Sequence, residues 1–89
     1  MKDFKLPEVL NRSNVKEISE QILTMTGSAL KVDASSLRVL SAIGLEMIIA
    51  SKNQWQMDGY PFEVTNWPQD ILTELSTIGF DPSSTNFKA

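Results

Sequence analysis

The chain has 89 residues, eight basic and eleven acidic side chains, and neither histidine nor cysteine. That length holds one core and one domain, and the apolar fraction of 42% excludes a wholly disordered chain. The missing side chains exclude Cys/His zinc sites, Ser–His and Cys nucleophile pairs, redox thiols and disulfides, and the acidic balance disfavours non-specific nucleic-acid binding.

The N-terminus, Met1-Lys2-Asp3-Phe4-Lys5, has no apolar stretch behind it like that of a signal peptide. The longest apolar run covers 47–50, far short of the ~20 residues that span a bilayer. Direct membrane insertion is therefore not expected, and the expected location is the cytoplasm.

A short apolar segment over 6–10 contains Pro7 and predicts an edge strand or strand entry, because proline lacks the N–H a central ladder needs. Asn14 with Glu17 three residues later predicts a capping-box-like helix start. Val15, Ile18, Ile22 and Met25 form its apolar stripe, and Gly27 its stop. Alternation over 30–34 predicts a second strand, followed by a connection over 35–41 that itself alternates at Leu37, Val39 and Leu40.

From Ala42 the period becomes helical. Leu45, Ile48, Ile49 and Lys52 share one side, which Ala42 and Trp55 extend, and Asp58-Gly59 ends it. A third strand over 60–65 places Phe62 and Val64 on one face. Asn66-Trp67-Pro68 opens a third helix, with Asp70 in its first turn and Ile71, Leu72, Leu75 and Ile78 as its stripe. Gly79 stops it, with Phe80 folding back on the last turn. The polar segment 81–89 reads as a flexible tail. Strand and helix thus alternate, which predicts an α/β layer with long crossovers between parallel strands.

Asp33, Glu46, Asp58 and Glu63 are the mid-chain carboxylates, and sequence spacing does not show two of them converging as an acid–base pair requires. Glu46, Asp58 and Glu63 read as solvated charges. Asp33 ends a predicted strand, where α/β proteins place functional groups; it also reads as a turn former accepting an N–H from Ser35 or Ser36. An enzyme using carboxylates alone is the alternative of a different class. The lack of histidine, cysteine and a phosphate loop weighs against it. No metal site is expected.

Gly44 lies in no glycine-rich loop, and no lysine follows it. Either it lets the helix approach the sheet or a partner closely, or it is a tolerated glycine near a helix end. Residues 41–44 carry the free N–H groups of a helix start, which suit an anion or a partner carboxylate. Trp55, Met57, Tyr60 and Trp67 read first as core or staple residues, and second as a binding surface. No aromatic residues interleave with a basic patch, so no nucleic-acid platform is expected.

The run Val32-Asp33-Ala34-Ser35-Ser36-Leu37-Arg38-Val39-Leu40-Ser41-Ala42-Ile43-Gly44-Leu45 resembles the STAS domain family, which includes anti-sigma-factor antagonists and sulfate-transporter C-terminal domains. Asp33 and Gly44 keep the family's eleven-residue separation, Ser35 falls on its serine, and Leu37 on the apolar residue after it. The apolar helix from Leu45 and the element order from about Leu6 to Phe80 also match. The resemblance implies an α/β domain over 1–80, with a mixed sheet of four or five strands and helices packed on one side. It implies a non-catalytic regulatory module that binds a protein partner, usually under kinase control.

The chain departs from the family at the switch. Ser41 replaces the second aspartate, Ala42 the phosphoacceptor serine, and Ile43 the following Ser/Thr. Alanine has no hydroxyl, so the usual switch cannot operate at Ala42. Ser41 is a second choice for modification, after its role as a helix cap. The expected partner-binding residues are Asp33, Ser35, Ser36, Arg38, Ser41, Ala42, Gly44 and Glu46. No cofactor is expected. Expected partners are a signalling kinase, an anti-sigma-type protein or a chemotaxis protein, with a homodimer as a further option. A chemotaxis-associated protein comes first; an anti-sigma-factor antagonist, a small subunit of a lipid-transport complex, and a nucleotide or small-ligand domain are the alternatives.

Overall fold

The computed structural model describes residues 1–79. Phe80 and the expected tail over 81–89 lie outside the described residues. Eight elements follow in order: β1 (Lys2–Lys5), β2 (Val9–Leu10), α1 (Val15–Leu23), β3 (Leu30–Asp33), β4 (Val39–Leu40), α2 (Ala42–Asp58), β5 (Phe62–Thr65) and α3 (Gln69–Thr77). The architecture is α/β. The strands β1, β3 and β5 form a parallel sheet in the order β1-β3-β5, and β2 pairs with β4 in a separate parallel ladder. Among the described residues the strands thus divide three and two, and every pair is parallel, where a single mixed sheet was expected.

The first strand lies earlier than its sequence suggested. Lys2–Lys5 pairs with Leu30–Asp33, and the Leu6 N–H donates to the Asp33 carbonyl at 2.9 Å. Pro7, with no N–H, follows directly, and the chain leaves the ladder there. Val9 and Leu10 then pair with Val39 and Leu40, the residues whose alternation stood out in the connection.

Side-chain alternation divides the main sheet. Leu30, Val32 and Phe62 are buried on one face, with Phe4 and Val64 packed against them. Asp3, Lys5, Lys31 and Glu63 alternate with them and are exposed. Register sets Asp3 beside Lys31 and Lys31 beside Glu63, a row of alternating charge on the open face.

Helices cover the buried face. α1 contributes Ile18 and Ile22, and α2 contributes Leu45, Ile48 and Trp55. The Trp55 indole is buried, and its Nε1 donates to the Ser28 carbonyl at 2.8 Å. Its ring lies 5.4 Å from that of Phe62, inclined at 59°, a favourable tilted aromatic contact. α3 adds Ile71 and Leu75. Ile78, expected on the same stripe, is 68% exposed because the helix ends at Thr77.

Asn14 occupies the N-cap position of α1 but does not cap it. Its side chain turns back, with Nδ2 donating to the Val9 carbonyl at 2.7 Å and Oδ1 accepting from the Asn11 N–H at 3.0 Å. It thereby ties the start of α1 to β2. At α2 the expected cap holds: the Ser41 side chain accepts from the Gly44 N–H at 3.2 Å. Gly59, with φ of 83°, ends this helix.

Gly44 is where α2 meets β2 and β4. A Cβ there would lie 2.8 Å from the Leu10 carbonyl oxygen, 3.0 Å from Leu10 Cγ and 3.1 Å from Leu40 Cδ1. Alanine would gain about 1 kcal/mol of helix propensity, but the crowded backbone oxygen must move, and such overpacking costs about 1–3 kcal/mol. Gly44→Ala is expected to lower the urea midpoint at unchanged slope. A raised midpoint would show that the close approach is not a constraint.

Candidate functional site

Two groups of residues follow the C-terminal ends of the strands. The first is built on Asp33, the last residue of β3. Its Oδ1 accepts from the Ser35 N–H at 2.9 Å, the turn its position suggested. The same oxygen accepts from Asn66 Nδ2 at 3.2 Å. Asn66 follows β5 directly and has φ of 61°, a conformation asparagine tolerates better than most side chains. The Ser35 N–H, then the Asn66 amide, hold the Asp33 carboxyl below its ordinary value of 3.8, and the Lys5 charge adds to this. Asp33 therefore joins the β3–β4 connection to the β5–α3 connection.

The second group is the start of α2. The Arg38 and Val39 N–H groups both donate to the Glu8 carbonyl, at 2.6 and 3.0 Å, which lays β4 along β2. The Leu10 carbonyl then receives the Ser41 N–H at 3.0 Å and the Ser41 hydroxyl at 3.2 Å. Ser41 Oγ thus donates to Leu10 while accepting from Gly44, so both its capacities are used inside the fold.

This junction leaves Ala42 on the surface. A cleft on one side is lined by Asn11, Arg12, Ser13, Ser41, Ala42 and Ile43. A second cleft, of about 230 Å³, lies where Leu40, Ala42 and Leu45 face Ile71, Leu75 and Ile78 of the α3 region. Ser41 and Ala42 line both. Apolar side chains lie exposed along the same segment: Val39, its ladder neighbour Val9, and Ile43.

The eight expected site residues separate accordingly. Ser41 and Ala42 come together between the clefts. Arg38 and Glu46 are exposed on the flanking backbone, while Ser36 is half-buried. Asp33 and Ser35 form the turn at the end of β3. Gly44 is buried against Leu10, so its contribution is to seat the helix. Val9, Val39, Ile43 and Ile78 were not among the expected residues. Val39 and Ile43 carried a signal, being apolar residues off the buried stripe; Val9 and Ile78 enter only through tertiary placement.

Of the other candidates, Trp55 is core, and Trp67 is half-buried against it. Met57 and Tyr60 are exposed at the far end of α2. Glu46, Asp58 and Glu63 are exposed, and Asp58 accepts from Gln54 Nε2 at 3.2 Å. Among the described residues no three Asp or Glu side chains gather to hold a metal ion, and no helix is long and apolar enough to cross a membrane. No family model, curated protein or solved structure matches this chain.

The Asp33 contacts fix a sign. With its folded pKa depressed, Asp33 stabilises the fold above its unfolded pKa, and that contribution disappears as pH falls through the lower folded value. Asn66→Ala removes one donor. It should raise the Asp33 pKa followed by NMR titration and shift acid unfolding to higher pH. An unchanged Asp33 titration would remove Asn66 from the account.

Proposed function

We propose that the chain is a non-catalytic, STAS-type regulatory module that binds a protein partner through the start of α2. The observation that carries this reading is the exposed, uncharged Ala42, held between two clefts by the Ser41 cap, where the resemblance places the family's regulated hydroxyl. Val39 and Ile43 add apolar area beside it, and desolvation of such side chains supplies binding energy. The helix start adds partial positive charge, and Arg12 lines one of the two clefts.

The partner is a bacterial signalling protein, chemotaxis-associated in the first instance. Phosphate at position 42 does not control binding in this reading, because alanine offers no oxygen to modify. Phosphate on Ser41 would remove the hydroxyl proton that it donates to Leu10, although its oxygens would still accept from the Gly44 N–H; in this reading Ser41 serves the fold rather than a switch.

The test begins with a partner captured from the native host and purified. Ala42→Asp puts an unpaired carboxylate into the contact. Loss of one member of a desolvated charge pair costs about 2–5 kcal/mol, and burial of a new unpaired charge is of similar order. Calorimetry should show affinity reduced at least about tenfold, with the fold intact, since an acidic group is tolerated near a helix start. Met57→Asp, at the opposite end of α2, should bind as wild type. Equal binding by Ala42→Asp and wild type would exclude this surface.

A further inference from the structure

β1 is an outer strand of the main sheet. It meets β3 through its even-numbered residues: the Lys2 N–H donates to the Ala29 carbonyl at 3.0 Å and the Leu6 N–H to that of Asp33 at 2.9 Å. The backbone N–H and C=O groups of Asp3 and Lys5 therefore point away from the sheet. Among the described residues no hydrogen bond reaches them. The opposite edge differs, because Lys52 Nζ donates to the Phe62 carbonyl of β5 at 3.3 Å. An open strand edge is a template for another chain.

We propose that β1 pairs antiparallel with β1 of a second copy, about a two-fold axis at Phe4. In that register the Asp3 and Lys5 backbones face each other as hydrogen-bonded pairs, twice across the axis. Each aspartate side chain meets a lysine of the other copy on the open sheet face. A lysine on an edge ordinarily discourages pairing; here each one finds a carboxylate.

Neighbouring registers are disfavoured. A two-residue slip one way sets Lys5 against Lys5 and brings Asp3 opposite Pro7, which has no N–H. The opposite slip sets Asp3 against Asp3. A one-residue slip exchanges the two side-chain faces. In the Phe4 register the two phenylalanines form a non-hydrogen-bonded pair, where side chains approach closely. Phe4 is only half-buried within one copy and packs against the core, so the pairing extends that core across the axis. This edge involves none of the residues around Ala42.

Sedimentation should show wild-type mass rising from monomer to dimer with concentration. Asp3→Lys replaces two attractions with two repulsions and should raise the dimer dissociation constant roughly tenfold, with unchanged circular dichroism. The chain has no cysteine, so single cysteines report the register. Phe4→Cys should form a disulfide-linked dimer under mild oxidation, because a non-hydrogen-bonded pair has Cα atoms about 4.5 Å apart. Asp3→Cys lies diagonal to its copy, beyond the roughly 7 Å that a disulfide spans, and should not link. Wild type remaining monomeric, dimerisation indifferent to Asp3→Lys, or Asp3→Cys linking as readily as Phe4→Cys would each overturn the proposal.

Discussion

The carbonyl oxygen of Leu10 determines where α2 begins. It accepts the N–H and the hydroxyl of Ser41, and it stands so close to Gly44 that no Cβ fits. Leu10 is itself fully buried and pairs with Leu40. A buried carbonyl must be satisfied, and here its donors come from the helix start. The short β2–β4 ladder, the cap and the missing side chain at position 44 are parts of one junction. Its surface consequence is Ala42, set outward between two clefts with no charge of its own.

The main sheet has a different logic. Its helix-covered face carries the apolar residues, while its open face carries alternating charges in register. That face gains solubility from the charges and modest stability from the cross-strand pairs. At its C-terminal end, Asp33 links two connections through Ser35 and Asn66. The connection from β3 to α2 is therefore held at both ends, by Asp33 at the first and by Leu10 at the second.

The helices were legible from their apolar periods, and α2 ends at Gly59 as its pattern suggested; α1 stops earlier than expected, at Leu23, which leaves Met25 and Gly27 in the turn that follows. Ser41 was legible as a cap from its place before an apolar run, and the Asp33 turn from its serines. The tertiary partners were not legible: Leu10 lies 31 residues from Ser41, and Asn66 lies 33 from Asp33. β1 was missed because Lys2-Asp3-Phe4-Lys5 has a single apolar side chain; its pairing with β3 makes it a strand. Asn14 looked like a cap, but bonds to Val9 and Asn11 compete for its side chain. Of the site, the segment was legible and the clefts were not, since α3 and the residues after β2 supply their far walls.

The claim on which the others rest is that Ser41 pins α2 to Leu10. Amide hydrogen exchange on Ser41→Ala tests it directly. Global stability should fall by about 1 kcal/mol, the ordinary size for a removed helix cap. The Gly44 amide, deprived of its acceptor, should lose more protection than the amides of Leu30 and Ala34, which donate across the sheet to Pro61 and Thr65. Unchanged stability, with Gly44 as protected as before, would contradict it.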